Sequence, residues 1–359
     1  MKKLVFLMGL MGSCLVSCGT QTYIHTCTHE TIAEAPEPAS GRARNVILMI
    51  GDGMGAEHVW AAWLCNKGQL NLTTLPVTGF SITTSASHTI TDSAAGGTAI
   101  ACGHKTLNGQ VGVDAEGKPI QSLAEQMRQA GKATGVVVTK AVTDATPAAF
   151  YAHVKSRKNT DAIAAALTEA GFDVVAGGGS DNFTPEQREK LKKECSLCEL
   201  AAPGDCAPAS KRGDWLPQRV EQALKLLEQD KDGFFLMVEG SKINMSAHVN
   251  DLDETVHETL DFDQAVGVVL RWMQKRNDTL LLVTADHQTG GLSIQGGDKA
   301  KGKVEGHFST FLHSGVAVPV YAAGCGAAFF AGVQDNSPTR SRPEALTCYM
   351  LENRVLPYK

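Results

Sequence analysis

The unbroken apolar run Val46-Ile47-Leu48-Met49-Ile50 constrains this chain more than any other feature. Bounded by polar and glycine residues, such a run suits a strand buried on both faces, as in a parallel sheet, and not a strand with one wet face. Similar runs recur at Gly135–Thr139, Asp173–Ala176, Phe234–Val238, Thr279–Thr284 and Val316–Ala322. Between them, helical patterns run over Ile120–Ala130, Thr160–Ala170, Leu216–Gln229 and Leu252–Gln274. Strands alternating with helices predict an α/β fold with a mostly parallel central sheet and helices on both faces. With 43% hydrophobic residues in 359, the chain has material for a large core. The polar stretch 180–213 reads as a short insertion outside the sheet. Its cysteines, Cys195, Cys198 and Cys206, suit a disulfide closing a small loop better than a metal knuckle, since no His or fourth Cys stands at zinc-finger spacing.

The first eighteen residues read as a targeting segment. Lys2 and Lys3 precede an apolar stretch from Leu4 to Val16, too short to cross a bilayer comfortably. It ends in Leu15-Val16-Ser17-Cys18, which resembles the lipobox of bacterial lipoproteins, in which the cysteine is acylated. The expectation is a signal peptide over 1–18, a tether over 19–43 marked by Pro36, Glu37, Pro38 and Ser40, and a catalytic domain over 44–359. The protein would then sit on the periplasmic or cell-surface side of a bacterial membrane, held by lipid on Cys18. The uncharged stretch Gly315–Val333 contains Pro319 and several glycines, which favour a strand followed by turns over a second span. A net charge of −5 without a long basic run argues against a nucleic-acid partner.

In open α/β sheets, ligands gather outside the carboxyl ends of the strands. Here the first run leads into Gly51-Asp52-Gly53, the fourth into Glu239-Gly240 and the fifth into Asp286-His287. Three carboxylates delivered to one edge cannot all stay ionised in a confined site unless cations neutralise them, so the cluster implies metal. Carboxylate with imidazole suits zinc, and an all-oxygen set suits magnesium. His248 and His313 are further ligand candidates. In Thr91-Asp92-Ser93-Ala94-Ala95-Gly96-Gly97-Thr98-Ala99 a serine precedes small residues, the pattern of a helix packed closely at an anion site or of an ordinary capping serine. A serine hydroxyl needs a base or metal to become a nucleophile, and no G-x-S-x-G elbow is present.

Six segments, in order, carry a resemblance to the alkaline phosphatases: Ile50-Gly51-Asp52-Gly53-Met54-Gly55, the Thr91–Ala99 motif, Asp144-Ala145-Thr146-Pro147 through Ser156-Arg157, Val238-Glu239-Gly240, Thr284-Ala285-Asp286-His287, and His313 before Val316–Tyr321. The resemblance implies that Ser93 becomes a phosphoserine and that Arg157 holds two phosphate oxygens. It implies a zinc site of Asp52, Asp286 and His287, and a magnesium site of Asp52, Thr146 and Glu239 with Asp144 nearby. A second zinc site would fall to Asn244, His248 and His313. Small phosphate monoesters are the implied substrates, and a homodimer the implied assembly. Asn244 stands where the family has Asp, so this second site would lack a charge and bind zinc more weakly. Met245 likewise replaces a position that is often polar or basic. With short insertions near 180–213 and 288–312, an open site of broad tolerance is expected. A phosphodiesterase on the same scaffold, or a catalytically weak or silent metal- or phosphate-binding lipoprotein, stand as alternatives.

Overall fold

The computed structural model describes residues 19–337, so the expected signal peptide, with Cys18, lies outside the described residues. Fourteen strands are found among the described residues: β1 (Gln21–Ile24), β2 (Asn45–Gly51), β3 (Val77–Ile82), β4 (Ala133–Ala141), β5 (Val174–Gly178), β6 (Leu197–Leu200), β7 (Phe234–Gly240), β8 (Thr279–Thr284), β9 (Gln288–Thr289), β10 (Leu292–Asp298), β11 (Lys303–Phe308), β12 (His313–Ser314), β13 (Val318–Gly324) and β14 (Gly332–Asp335). Nine of them form the central sheet, in the order β14-β3-β13-β8-β2-β7-β4-β5-β6. From β8 to β6 every pairing is parallel, and β13 runs antiparallel to both β8 and β3. The expected strand at Val316–Ala322 therefore begins at Val318 and reverses the sheet's direction at that side.

All residues of β2, β7 and β8 are buried, which is why their runs carry no polar alternation. Side chains on β2 still alternate between two cores. Ile47 and Met49 face one core, with the helices α1 (Ala56–Cys65), α8 (Trp215–Leu227) and α10 (Leu252–Met273). Val46, Leu48 and Ile50 face the other, with α2 (Ser93–Cys102), α3 (Leu123–Gln129), α5 (Thr160–Ala170) and α6 (Pro185–Glu194). Helices thus cover both faces, as expected. Short helices α4 (Ala145–Ala148), α7 (Ala209–Arg212) and α9 (Lys242–His248) complete the set.

Two expectations are corrected. The stretch 180–213 does not stand outside the sheet: Thr184 caps α6 in a capping box with Gln187, and β6 pairs in parallel with β5 as the edge strand. As an edge strand it is only half buried, and its four residues, interrupted by Glu199, make no continuous apolar run. Cys195, Cys198 and Cys206 are free thiols here, not the expected disulfide.

The segment 19–43 is likewise no free tether. β1 pairs with β11, which pairs with β10 in a separate three-stranded sheet. Tyr23 Oη lies 2.9 Å from His25 Nδ1 and 3.0 Å from His257 Nε2 on α10. The amide oxygens of Asn66 and Asn71 accept from the backbone of His29 and Ile32, and Ile32 and Ala35 are buried. The partners that fix this segment are distant in sequence, so its own polar composition could not reveal them.

Candidate active site and metal centre

Register brings the acids together. Ile50 on β2 lies opposite Glu239 on β7 and Thr284 on β8, so the strand ends carrying Asp52, Glu239 and Asp286 open on one edge. Gly53 turns the chain there with φ +72°, and a Cβ on it would meet the Thr289 hydroxyl at 2.6 Å. Only glycine suits both demands.

Helix α2 sets Ser93 above this edge, and every residue of the helix is buried. A Cβ on Gly96 would lie 2.9 Å from the Asp286 carbonyl oxygen, which explains the run of small residues. Asp92 caps the helix by accepting from Ala95 N at 3.0 Å. Its other oxygen accepts from Gly109 N and pairs with Arg157 Nη1 at 3.4 Å. Arg157 Nη2 reaches Asp144 at 3.2 Å. One aspartate thus positions both the serine's helix and the guanidinium.

Asp52, Asp286 and His287 are wholly buried, and each offers a donor atom within 4.8 Å of the others'. His287 Nε2 lies 3.2 Å from Ser93 Oγ, 3.1 Å from Asp286 Oδ2 and 3.5 Å from Asp52 Oδ1. Asp286 Oδ1 accepts from the backbone N–H groups of Gly53 and His287. By contrast, among the described residues, Asp286 Oδ2, both oxygens of Asp52, both of Glu239 and the Thr146 hydroxyl have no hydrogen-bond partner. Buried, unpartnered carboxylates are costly. Burial and the neighbouring Asp286 push Asp52 up to about 8, and burial with Asp52 raises Glu239 well above the usual carboxylate range. Burial lowers His287 to about 4, so its ring is neutral and free to act as a ligand.

The second group is built from imidazoles. His248 Nδ1 is 2.6 Å from the Phe311 carbonyl, and His313 Nδ1 is 2.9 Å from that of Thr91. Each Nδ1–H therefore donates to backbone, which leaves both Nε2 atoms as acceptors, 3.1 Å apart. Two lone pairs facing each other at that distance call for a proton or a cation between them. His313 stacks on His287 with ring centroids 3.5 Å apart, joining the two groups. Asn244 Oδ1 accepts from Thr289 Oγ1 at 2.6 Å, while Met245 is exposed.

Among the described residues, Asp52, Asp286 and His287 form a group able to hold a metal ion, and the Glu239 and Thr146 oxygens, without hydrogen bonds of their own, suit the same chemistry. Of the residues expected at the site, the structure places Ser93 with Asp52, Asp286 and His287, Arg157 with Asp144, and His248 with His313, which stacks on His287, while Asn244 connects through Thr289. Sequence reasoning missed three contributors. Asp92 braces both the serine's helix and Arg157, and Thr289 bridges Asn244 and His287 Nδ1, 3.3 Å away. Lys140 at the end of β4 is the third; its Nζ is 2.7 Å from Asp144 and 3.9 Å from Asp52. Its four-residue spacing to Asp144 was the available signal. Burial works against its charge, but Asp144, Asp52 and Glu239 outweigh that and hold its pKa above the ordinary lysine value.

A family model described as alkaline phosphatase matches residues 43–196 and 200–306. Alkaline phosphatase 4 of Bacillus subtilis (strain 168) is 38% identical over 299 residues, 73% of this chain and 65% of that protein. The chain thus spans slightly under two thirds of this relative's length. Streptomycin-6-phosphate phosphatase of Streptomyces griseus is 31% identical over a 429-residue alignment covering 91% of this chain and 94% of that protein. Among solved structures, a variant of TAB5 alkaline phosphatase with magnesium bound in the M3 site has a TM-score of 0.80 and 30% identity, covering 88% of this chain and 99% of that one.

Proposed function

Because the chain belongs to the alkaline phosphatase family, we propose that it hydrolyses phosphate monoesters through a phosphoserine at Ser93 and releases inorganic phosphate. The observation that carries this reading is Ser93 at the N-terminus of a capped, buried helix, 3.2 Å from a neutral imidazole that adjoins buried Asp52 and Asp286, each with carboxylate oxygen left without a hydrogen bond among the described residues.

In this reading Ser93 Oγ attacks phosphorus in line. Arg157, braced by Asp92 and Asp144, turns its remaining N–H groups towards two non-bridging oxygens, a planar fork that matches phosphate. Amides at the start of α2 face the same anion. Asp52, Asp286 and His287 would hold one zinc ion, and Asn244, His248 and His313 a second. Asp52, Thr146 and Glu239 would hold magnesium. When bound, such ions lower the pKa of a hydroxyl or water and neutralise charge on the attacking and leaving oxygens. The neutral Asn244 leaves the second zinc site one negative charge short, so turnover is slowed but not abolished.

Small monoesters are the proposed substrates. The name of the Streptomyces griseus relative describes a phosphatase of one such ester. The signal at Leu15–Cys18 supports attachment to a bacterial membrane through lipid on Cys18, facing the periplasm or the cell exterior. A homodimer is proposed by the same resemblance.

The test is hydrolysis of an aryl phosphate monoester from pH 7 to 10 with zinc and magnesium supplied, using Ser93→Ala as baseline. The expected gap is about a thousandfold or more, since loss of the nucleophile removes the covalent route. Equal rates in two zinc-loaded proteins would leave a silent metal-binding lipoprotein as the function.

A further inference from the structure

The buried carboxylates Asp52 and Glu239 have a neighbour that no metal site requires. Lys140 ends β4, the strand paired with the one that carries Glu239, with Val138 and Glu239 in register. Its side chain is 9% exposed, and Nζ contacts Asp144 at 2.7 Å and Asp52 at 3.9 Å. Asp144 completes the arrangement by pairing with Arg157 on its other oxygen. A lysine ammonium is a compact point charge with three donors and no acceptor. It neutralises a carboxylate cluster but cannot ligate a metal. Magnesium, in turn, demands near-octahedral oxygen geometry and keeps several waters. A fixed ammonium 3.9 Å from Asp52 repels a cation held by that carboxylate.

Resting on the reading of the site given above, we propose that Lys140 is a built-in substitute for the third cation. Its ammonium supplies part of the positive charge beside Asp52 and Asp144, so the chain binds magnesium weakly and keeps its zinc without it. Lys140 is a positioning residue in this account: it acts through Asp52 and through the Asp144–Arg157 pair, and touches no reacting atom.

The experiment loads the full chain with zinc, titrates magnesium calorimetrically, and measures both metals in the desalted protein by elemental mass spectrometry. Wild type is compared with Lys140→Met, which keeps the length of the side chain and removes the charge, and with Lys140→Gln. Removing one unit charge close to the ion is expected to tighten magnesium binding by about tenfold or more. Wild type should lose magnesium on desalting while retaining zinc, and the variants should keep it. Equal affinities, or a full equivalent of tightly held magnesium in the wild type, overturn the inference. The wild-type measurement decides by itself should neither variant fold. A wild type that retains no zinc sinks the metal reading beneath the inference and the inference with it, an outcome distinct from zinc retained with tight magnesium.

Discussion

Two buried clusters of charge in this protein are handled in opposite ways. Under α10, Arg212 meets Glu258 and Asp261 through bonds of 2.6 Å each, and Glu258 also accepts from Ala209 N. Arg212 Nη1 donates to the Ala207 carbonyl as well, so only its Nε is unpartnered. At the edge of the central sheet, Asp52 and Glu239 are just as buried, yet their oxygens find no such partners. The first cluster closes its charges inside the chain and serves the fold. The second leaves lone pairs open, answered from within the chain only in part by Lys140 at 3.9 Å from Asp52, so it calls for further positive charge from outside. Being buried and acidic does not mark a site. Being buried, acidic and unanswered does.

The sharpest test of that contrast is chelation. Stripping metals should reduce phosphatase activity to the level of Ser93→Ala and lower Tm. Restoring zinc at about a thousand times its Kd should return about 4 kcal/mol. A Tm that ignores chelators would place the open cluster with the closed one. Next in size is Arg212→Met, which strands two buried carboxylates and should cost about 3–5 kcal/mol in denaturant unfolding. Its zinc content should be unchanged, and a loss of zinc would mean that the clusters are coupled.

Between pH 6.5 and 8 the two regions should also diverge in metal-free protein. Asp52 is held up to about 8 when folded and titrates in the ordinary carboxylate range when unfolded. The folded state therefore binds the extra proton, and stability falls as pH rises towards 8. His287, lowered to about 4, contributes in the opposite sense, but only below about 6.5, where the unfolded imidazole titrates. Zinc loading should remove the decline, as read from Tm against pH; a decline that survives zinc would assign it elsewhere. The smallest expected effect is that of Asn244→Asp, which adds one negative charge beside His248 and His313 and should tighten one zinc ion by about tenfold in competition with a chelator. No change there would refute the charge argument for Asn244.

What could be read from the chain depended on where its information was stored. Strands such as β2, β7 and β8 announce themselves because burial on both faces demands uninterrupted apolar residues. The three acids follow, since each stands at the carboxyl end of such a strand: Asp52 and Asp286 just beyond one, Glu239 as the penultimate residue of another. Half-buried β6 and the segment around Tyr23 were misjudged, because their stability comes from distant partners, β5 for one and Asn66, Asn71 and His257 for the other. Lys140 escaped notice for another reason. It sits one residue beyond the apolar run of its strand, where a lysine ordinarily reaches for water, and only the geometry of Asp52 and Asp144 turns it inward. The Nδ1 anchors of His248 and His313 are backbone carbonyls, a kind of partner that leaves no residue-type signature at all.

The strand β1 has a consequence for life at a surface. If Cys18 carries the proposed lipid, residues 19 and 20 are the whole leash, because Gln21 is already sewn to Gly306. Three extended steps of backbone reach about 10 Å, so the enzyme would ride against the headgroups like a moored hull and not drift above them. Substrates confined near that plane would be sampled in two dimensions, and lengthening the leash with a flexible spacer would change which of them arrive first.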